Sequence, residues 1–197
     1  GMRHILAHDG RRDILPFHLD VAIAAFGEKL YLSWYNSTDA EICGTSLIRG
    51  RVSLDGGESW QEPFLIAGSL ENIGHHYVPS NFFPHMGRLY AIITEMTGKN
   101  ITTALDLFEM RGEGQWERVA RIGGGWILNT PPKRLPNGNW IAGVWTPMKN
   151  ETPAFPAVLI SHGDDIQREW RCRFLYDPLK PGAVRIRCAE ITLHVDG

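Results

Sequence analysis

Apolar and polar residues alternate along most of this chain in runs too short for helices. In RVSL (51–54), Val52 and Leu54 alternate with polar neighbours, as residues of a half-buried strand do. The same pattern recurs in DVAIAAF, KLYLSWY, SLIRGRVSL and PFLIAG, with turns between them. A second group follows as YVPSNFF, RLYAIIT, TALDLFEM and WERVARI, and a third as PPKRLP, NWIAGVW, AVLIS and WRCRFLY. No amphipathic helix of ordinary length is expected. HDGRRDILPFH (8–18) is too interrupted by Gly and Pro to make one.

These strands fall into a repeat. Glycine turns stand in FGEKLYLSW (26–34), HMGRLYAII (85–93) and NGNWIAGVW (137–145), and TLHVDG (192–197) reaches the same kind of turn. Gly27, Gly87, Gly138 and Gly197 therefore recur every 51–60 residues. Trp60, Trp116 and Trp170, each closing a polar, turn-rich stretch, keep a similar beat of 54–56 residues. Four antiparallel strands in a period of roughly 40–50 residues indicate propeller blades. A β-sandwich is the alternative, but it predicts no such period.

Composition narrows the classes without choosing among them. The chain has 197 residues, of which 43% are hydrophobic and 21% charged, enough for a sizeable core. Seven Trp, 21 Gly and 12 Pro suit a turn-rich β protein. A formal net charge of −2 gives no reason to expect nucleic acid or an anionic membrane as a partner. The sequence shows no run of about 18 apolar residues and no signal peptide. Gly1-Met2 reads as a tag remnant ahead of a natural start, so the compartment stays unassigned. Cys43, Cys172 and Cys188 lack metal-ligand spacing and read as buried free thiols. Sequences for a nucleophile elbow, a Walker loop, a dinucleotide fingerprint or a zincin helix are absent.

The stretch SLDGGESW (53–60) carries a resemblance. Ser53, Asp55, Gly57 and Trp60 match the Asp-box, S-x-D-x-G-x-x-W, which joins the third and fourth strands of blades in sialidases and other propeller glycosidases. Such a box is a structural turn: the Ser and Asp satisfy backbone donors, Gly57 permits the bend and Trp60 packs. MRGEGQW (110–116) and SHGDDIQREW (161–170) stand at equivalent places as degenerate copies. PPKRLPNGNWIAG (131–143) resembles a blade opening in the same group of repeat proteins. CAEITLHVDG (188–197) resembles the opening of a fourth sialidase blade, with Ile191 in place of proline.

The resemblance implies an all-β, sialidase-like six-bladed β-propeller, of which about three blades plus one strand are present here. The blades are expected at about 18–68, 75–123 and 126–178, with the start of a fourth at 184–197. It also implies a glycoside hydrolase, exo-acting and without a cofactor. Sialidases place a glutamate in support of a tyrosine nucleophile, and by this match Glu190 takes that place. A solvated or ion-paired surface glutamate is the alternative. His18 stands where sialidases carry the first-blade arginine that grips the substrate carboxylate. A neutral imidazole does not imitate that charged fork, so a sugar other than a simple sialoside is expected.

Propeller ligands sit near the axis, at the mouth lined by innermost strands. That geometry nominates Asp20 beside Glu190 as catalytic, and His18, His75, His76, Asn81, Glu95 and Lys133 as substrate-binding. Tyr35, Asn36, Glu41, Asn129, Lys149 and Arg187 fall in segments that open on the same face. His75 and His76 point oppositely on one strand, and no metal site is expected. Arg49 and Arg51 share one side of their strand and read as surface or inter-blade ion-pair formers. A noncatalytic carbohydrate-binding propeller and a protein-interaction propeller remain open beside the enzyme. Gly197 ends an Asp-Gly turn without a returning strand, which reads as a fragment or truncated frame. Two copies would supply six blades, so a homodimer that completes the propeller is expected.

Overall fold

Alternating apolar residues between glycine turns produce twelve strands in three separate meanders among the described residues. The computed structural model describes residues 4–98, 101–128, 130–145 and 155–175. The first sheet holds β1 (Phe17–Phe26), β2 (Lys29–Ser37), β3 (Ser46–Ser53) and β4 (Phe64–Ala67). The second holds β5 (His75–His85), β6 (Arg88–Thr97), β7 (Thr102–Gly112) and β8 (Gln115–Gly123). The third holds β9 (Lys133–Arg134), β10 (Trp140–Trp145), β11 (Pro156–Ile160) and β12 (Arg171–Phe174). Each sheet is antiparallel, with its strands ordered as in the chain. The β5–β6 turn shows why its glycine is required. Met86 and Gly87 both have positive φ, 47° and 73°, in a two-residue loop between the paired His85 and Arg88. That conformation matches the twist of the flanking strands.

The sheets stack face to face through two apolar layers. Tyr31, Tyr35, Ile48, Val52 and Ile66 of the first sheet meet Phe82, Leu89, Ala91 and Ile93 of the second. Phe83, Tyr90, Ile92, Leu107 and Ile122 of the second meet Trp140, Val144, Leu159 and Trp170 of the third. The middle sheet is therefore covered on both sides, and Leu89 to Ile93 form an unbroken buried run. Each large apolar side chain so buried contributes about 1.5–3 kcal/mol. Strand β1 behaves differently. Ala22, Ala24 and Phe26 pack toward the second sheet, while Val21 and Ile23 remain 67% and 62% exposed on the other face.

The tryptophan markers follow the same stacking. Trp116 packs on Phe82, with ring centroids 5.6 Å apart. The backbone N–H of Trp170 donates to Ile122 O at 2.8 Å, and its indole donates to Ile166 O at 3.0 Å. Trp170 thus lies against the preceding sheet, while Trp116 and Phe82 of its own sheet join the apolar layer between the first and second sheets. Trp60, on the first sheet, has no preceding sheet among the described residues and is only half-buried.

Between β3 and β4, Ser53 Oγ accepts from Gly57 N at 2.8 Å and donates to Asp55 Oδ1 at 2.8 Å. Asp55 in turn accepts from the Ser59 amide at 2.9 Å and its hydroxyl at 2.6 Å. In the third sheet Ser161 plays a related part, accepting from Trp140 N at 2.8 Å and donating to Gly163 O at 2.8 Å.

One expected strand is shorter than its sequence suggests. The sequence predicts a full strand over PPKRLP, yet only Lys133 and Arg134 pair with β10. A separate bridge joins Ile127 to Trp145 upstream. Pro131 and Pro132 have no N–H to give to a ladder, so the innermost strand is interrupted between the two contacts. Among the described residues the only helical element is the short 3-10 turn Gly10–Arg12, and no helix is long and apolar enough to cross a membrane. The segment 184–197 lies outside the described residues, as does Glu190.

Candidate functional site

The meander topology sends the β1–β2 turn and the Asp-box loop to one end of the sheets. The first residues of β1 and β5 and the β2–β3 loop stand at the other. Both innermost strands bulge near that second end: β1 shifts register between Leu19 and Ala22, and β5 between Tyr77 and Ser80. Asp20 occupies the first bulge at φ 52°, a left-handed backbone that Asp tolerates better than most residues. Bulges of this kind re-aim side chains at the rims of β structures.

Around His18 the chain builds a polar cluster. The segment before β1 folds back over the outer face of the first sheet, with Asp9 capping its 3-10 turn by accepting from Arg11 N at 3.3 Å. Gly10 sits so close to His18 that an added Cβ would lie 2.3 Å from the imidazole Cε1. Asp13, only 2% exposed, then points into the sheet. Its Oδ2 lies 2.8 Å from His8 Nε2 and 3.4 Å from His18 Nε2. Its Oδ1 accepts from Arg49, whose Nη1 is also 3.4 Å from Asn36 Oδ1. Asn36 donates to Leu15 O and, at 3.3 Å, to Phe17 O. His8 stacks on Trp34 at 4.4 Å, and Arg51 Nη1 donates to Ala7 O at 3.0 Å.

Electrostatics in this cluster follow from burial and one cation. Burial alone raises the Asp13 carboxyl, but the Arg49 charge and the His8 hydrogen bond outweigh it, leaving Asp13 below the usual carboxylate range. His8 moves down: loss of water disfavours its charged form by more than Asp13 favours it.

A second group lies on the middle sheet. His75 Nδ1 is 3.5 Å from Glu95 Oε1, and Arg121 Nη2 donates to Glu95 Oε2 at 2.8 Å. Arg121 and Arg118 also bond Asp106, at 3.0 and 3.2 Å, and Asp106 is fully buried. Tyr77 is pushed up by burial and then by the Glu95 and Asp106 charges. His76 points elsewhere, is 3% exposed, and is lowered by burial and then by the neighbouring His75.

Of the residues expected to touch substrate, the structure joins His75 with Glu95 and gives His18 other company. Asn81 is 4% exposed, and its amide donates to Leu128 O at 2.9 Å, tying the middle sheet to the third. Lys133 is exposed on β9. Tyr35 is fully buried, with its hydroxyl accepting from Ile42 N at 2.8 Å. Sequence reasoning missed His8 and Asp13, because a segment without periodicity gives no hint of where it docks. The five-residue spacing of His8, Asp13 and His18 was the one visible signal, and it matches no familiar ligand pattern.

No family model matches this chain, and no curated protein matches it by sequence. Solved structures do. A Hadza microbial sialidase superposes with a TM-score of 0.64 over 80% of this chain and 38% of its own, at 9% identity. The α-L-arabinanase of Penicillium chrysogenum gives 0.58 over 84% of this chain and 50% of its own, at 16% identity. A family 117 glycoside hydrolase of Zobellia galactanivorans gives 0.60 over 83% and 56%, at 12% identity. The chain spans 30–56% of the length of eight such structures, these three among them. Identities this low speak to architecture alone, and on that ground the chain has the fold of the sialidase-like β-propellers, with three consecutive four-stranded blades among its described residues.

Proposed function

We propose that this chain is part of a carbohydrate-active propeller, a glycoside hydrolase of the sialidase-like superfamily acting on a sugar other than a simple sialoside. The observation that carries this reading is the segregation of chemistry along the blades. The Asp-box turn occupies one end, while the His18 cluster and the His75–Glu95–Arg121 group stand near the other. Polar forks of this kind suit ligands rich in hydroxyl groups. In this proposal Glu190 and Asp20 act on the scissile bond, and His75, Glu95 and Lys133 hold the sugar. Hydrolysis of a panel of aryl glycosides by the full-length protein tests it, with Glu190→Gln expected to abolish turnover while folding is unchanged. Absence of both hydrolysis and glycan binding across the panel would end the proposal.

A noncatalytic carbohydrate-binding propeller is the second reading, and one observation favours it. His18, at the place of the substrate-gripping arginine, has its Nε2 turned to within 3.4 Å of Asp13 Oδ2 and its ring packed against Gly10. Saturable glycan binding with no turnover, indifferent to Glu190→Gln, would select this reading. We further propose that a second copy covers the part of the first blade's outer face that the N-terminal segment leaves open, where Val21 and Ile23 are exposed, giving a homodimer with an interface above about 1,000 Å². A stable monomer in sedimentation at micromolar concentration would defeat that.

A further inference from the structure

We propose that His8, Asp13 and His18 form a binding site for a divalent transition-metal ion, zinc above all, that fastens the N-terminal segment to the first blade. The ligand atoms of these three residues all lie within 4.8 Å of one another. A tetrahedral zinc site with bonds of about 2.0–2.1 Å spaces its ligand atoms roughly 3.3 Å apart. Asp13 Oδ2 stands 3.4 Å from His18 Nε2 and 2.8 Å from His8 Nε2, so small movements of preplaced groups would close the site.

Hydrogen bonding among the three residues is incomplete. Both Nε2 atoms converge on a single carboxylate oxygen, and His18 Nε2 is buried without a hydrogen-bond partner. Buried polar atoms left in this condition are uncommon and costly. One cation at the point of convergence would engage all three atoms at once.

The surroundings hold the ligands as outer-shell groups do in metal sites. Arg49 grips the other oxygen of Asp13, and Asn36 steadies Arg49. Trp34 stacks on His8, and the backbone of Gly10 fixes the ring of His18. The two nearby arginines, Arg49 and Arg51, also select among ions. A hard cation such as calcium depends on several oxygen ligands and their negative charge, and one carboxylate already shared with an arginine does not supply them. Two imidazoles with one carboxylate suit zinc. This inference does not depend on the carbohydrate reading.

The test uses the full chain, stripped with a chelator and dialysed, and titrated with zinc chloride by calorimetry and by thermal melting. One zinc per chain is expected, with the melting temperature rising by roughly 5–11 °C at a hundredfold excess over Kd. His18→Ala and His8→Gln should each weaken zinc by at least the ~10–100-fold that loss of an outer-shell partner costs. Both should lose the zinc-dependent rise in melting temperature while their metal-free melting stays cooperative. His4→Ala, outside the cluster, should leave zinc binding unchanged. Absence of saturable binding, or binding that persists undiminished in both variants, overturns the proposal.

Discussion

Asn81 offers a decisive test, because the sequence nominates it for substrate while the structure gives its amide another partner. Its side chain is 4% exposed and donates to Leu128 O at 2.9 Å, and Leu128 itself is 1% exposed. Asn81→Ala removes the donor and leaves that carbonyl without it in a place water barely reaches. An orphaned buried polar group costs about 1–3 kcal/mol, which for a chain of this size lowers the melting temperature by roughly 2–12 °C. Asn81→Asp should be worse than Ala, since it sets a carboxylate oxygen against the carbonyl oxygen. Urea denaturation followed by tryptophan fluorescence reads the loss as a fall in midpoint with an unchanged slope. Glycan binding by the folded Asn81→Ala protein should match the parent chain. An unchanged midpoint together with lost binding would refute the reasoning and return Asn81 to the ligand.

Two further outcomes follow from single hydrogen-bonded groups. Ser33 and Ser80, both buried, share a 2.8 Å hydroxyl contact between the first two blades. Either serine changed to alanine should cost about 1–3 kcal/mol, whereas the double variant should be close to neutral, because no group is left unpaired. Losses that simply add in a denaturation cycle would contradict the contact. Asp55, bonded by the Ser59 hydroxyl, the Ser59 amide and the Ser53 hydroxyl, is held down from 3.8 to about 2. A carboxyl lowered on folding gives stability that is complete above the unfolded value and lost as pH falls through the folded one. Asp55→Asn should therefore flatten the melting-temperature profile between about pH 4 and pH 2, and an unaltered acid limb would count against the Asp-box bonds.

What the sequence determined by itself is the local and periodic part. Strand alternation, the Gly27, Gly87 and Gly138 turns and the Asp-box are set by neighbours a few residues apart, and the blade count follows from their repetition. Even there, Pro131 and Pro132 shortened a strand that composition alone would extend. Only the tertiary structure decided which polar residues meet. Asn81 and Ser80 follow one another in sequence, yet the pleat sends one toward the third blade and the other toward the first. His8 and Asp13 carry no periodic signal, and they join His18 because the segment before β1 lies over Trp34, Asn36 and Arg49. A contact between distant parts of a chain depends on the packing of faces, and no short window of sequence contains both sides of it.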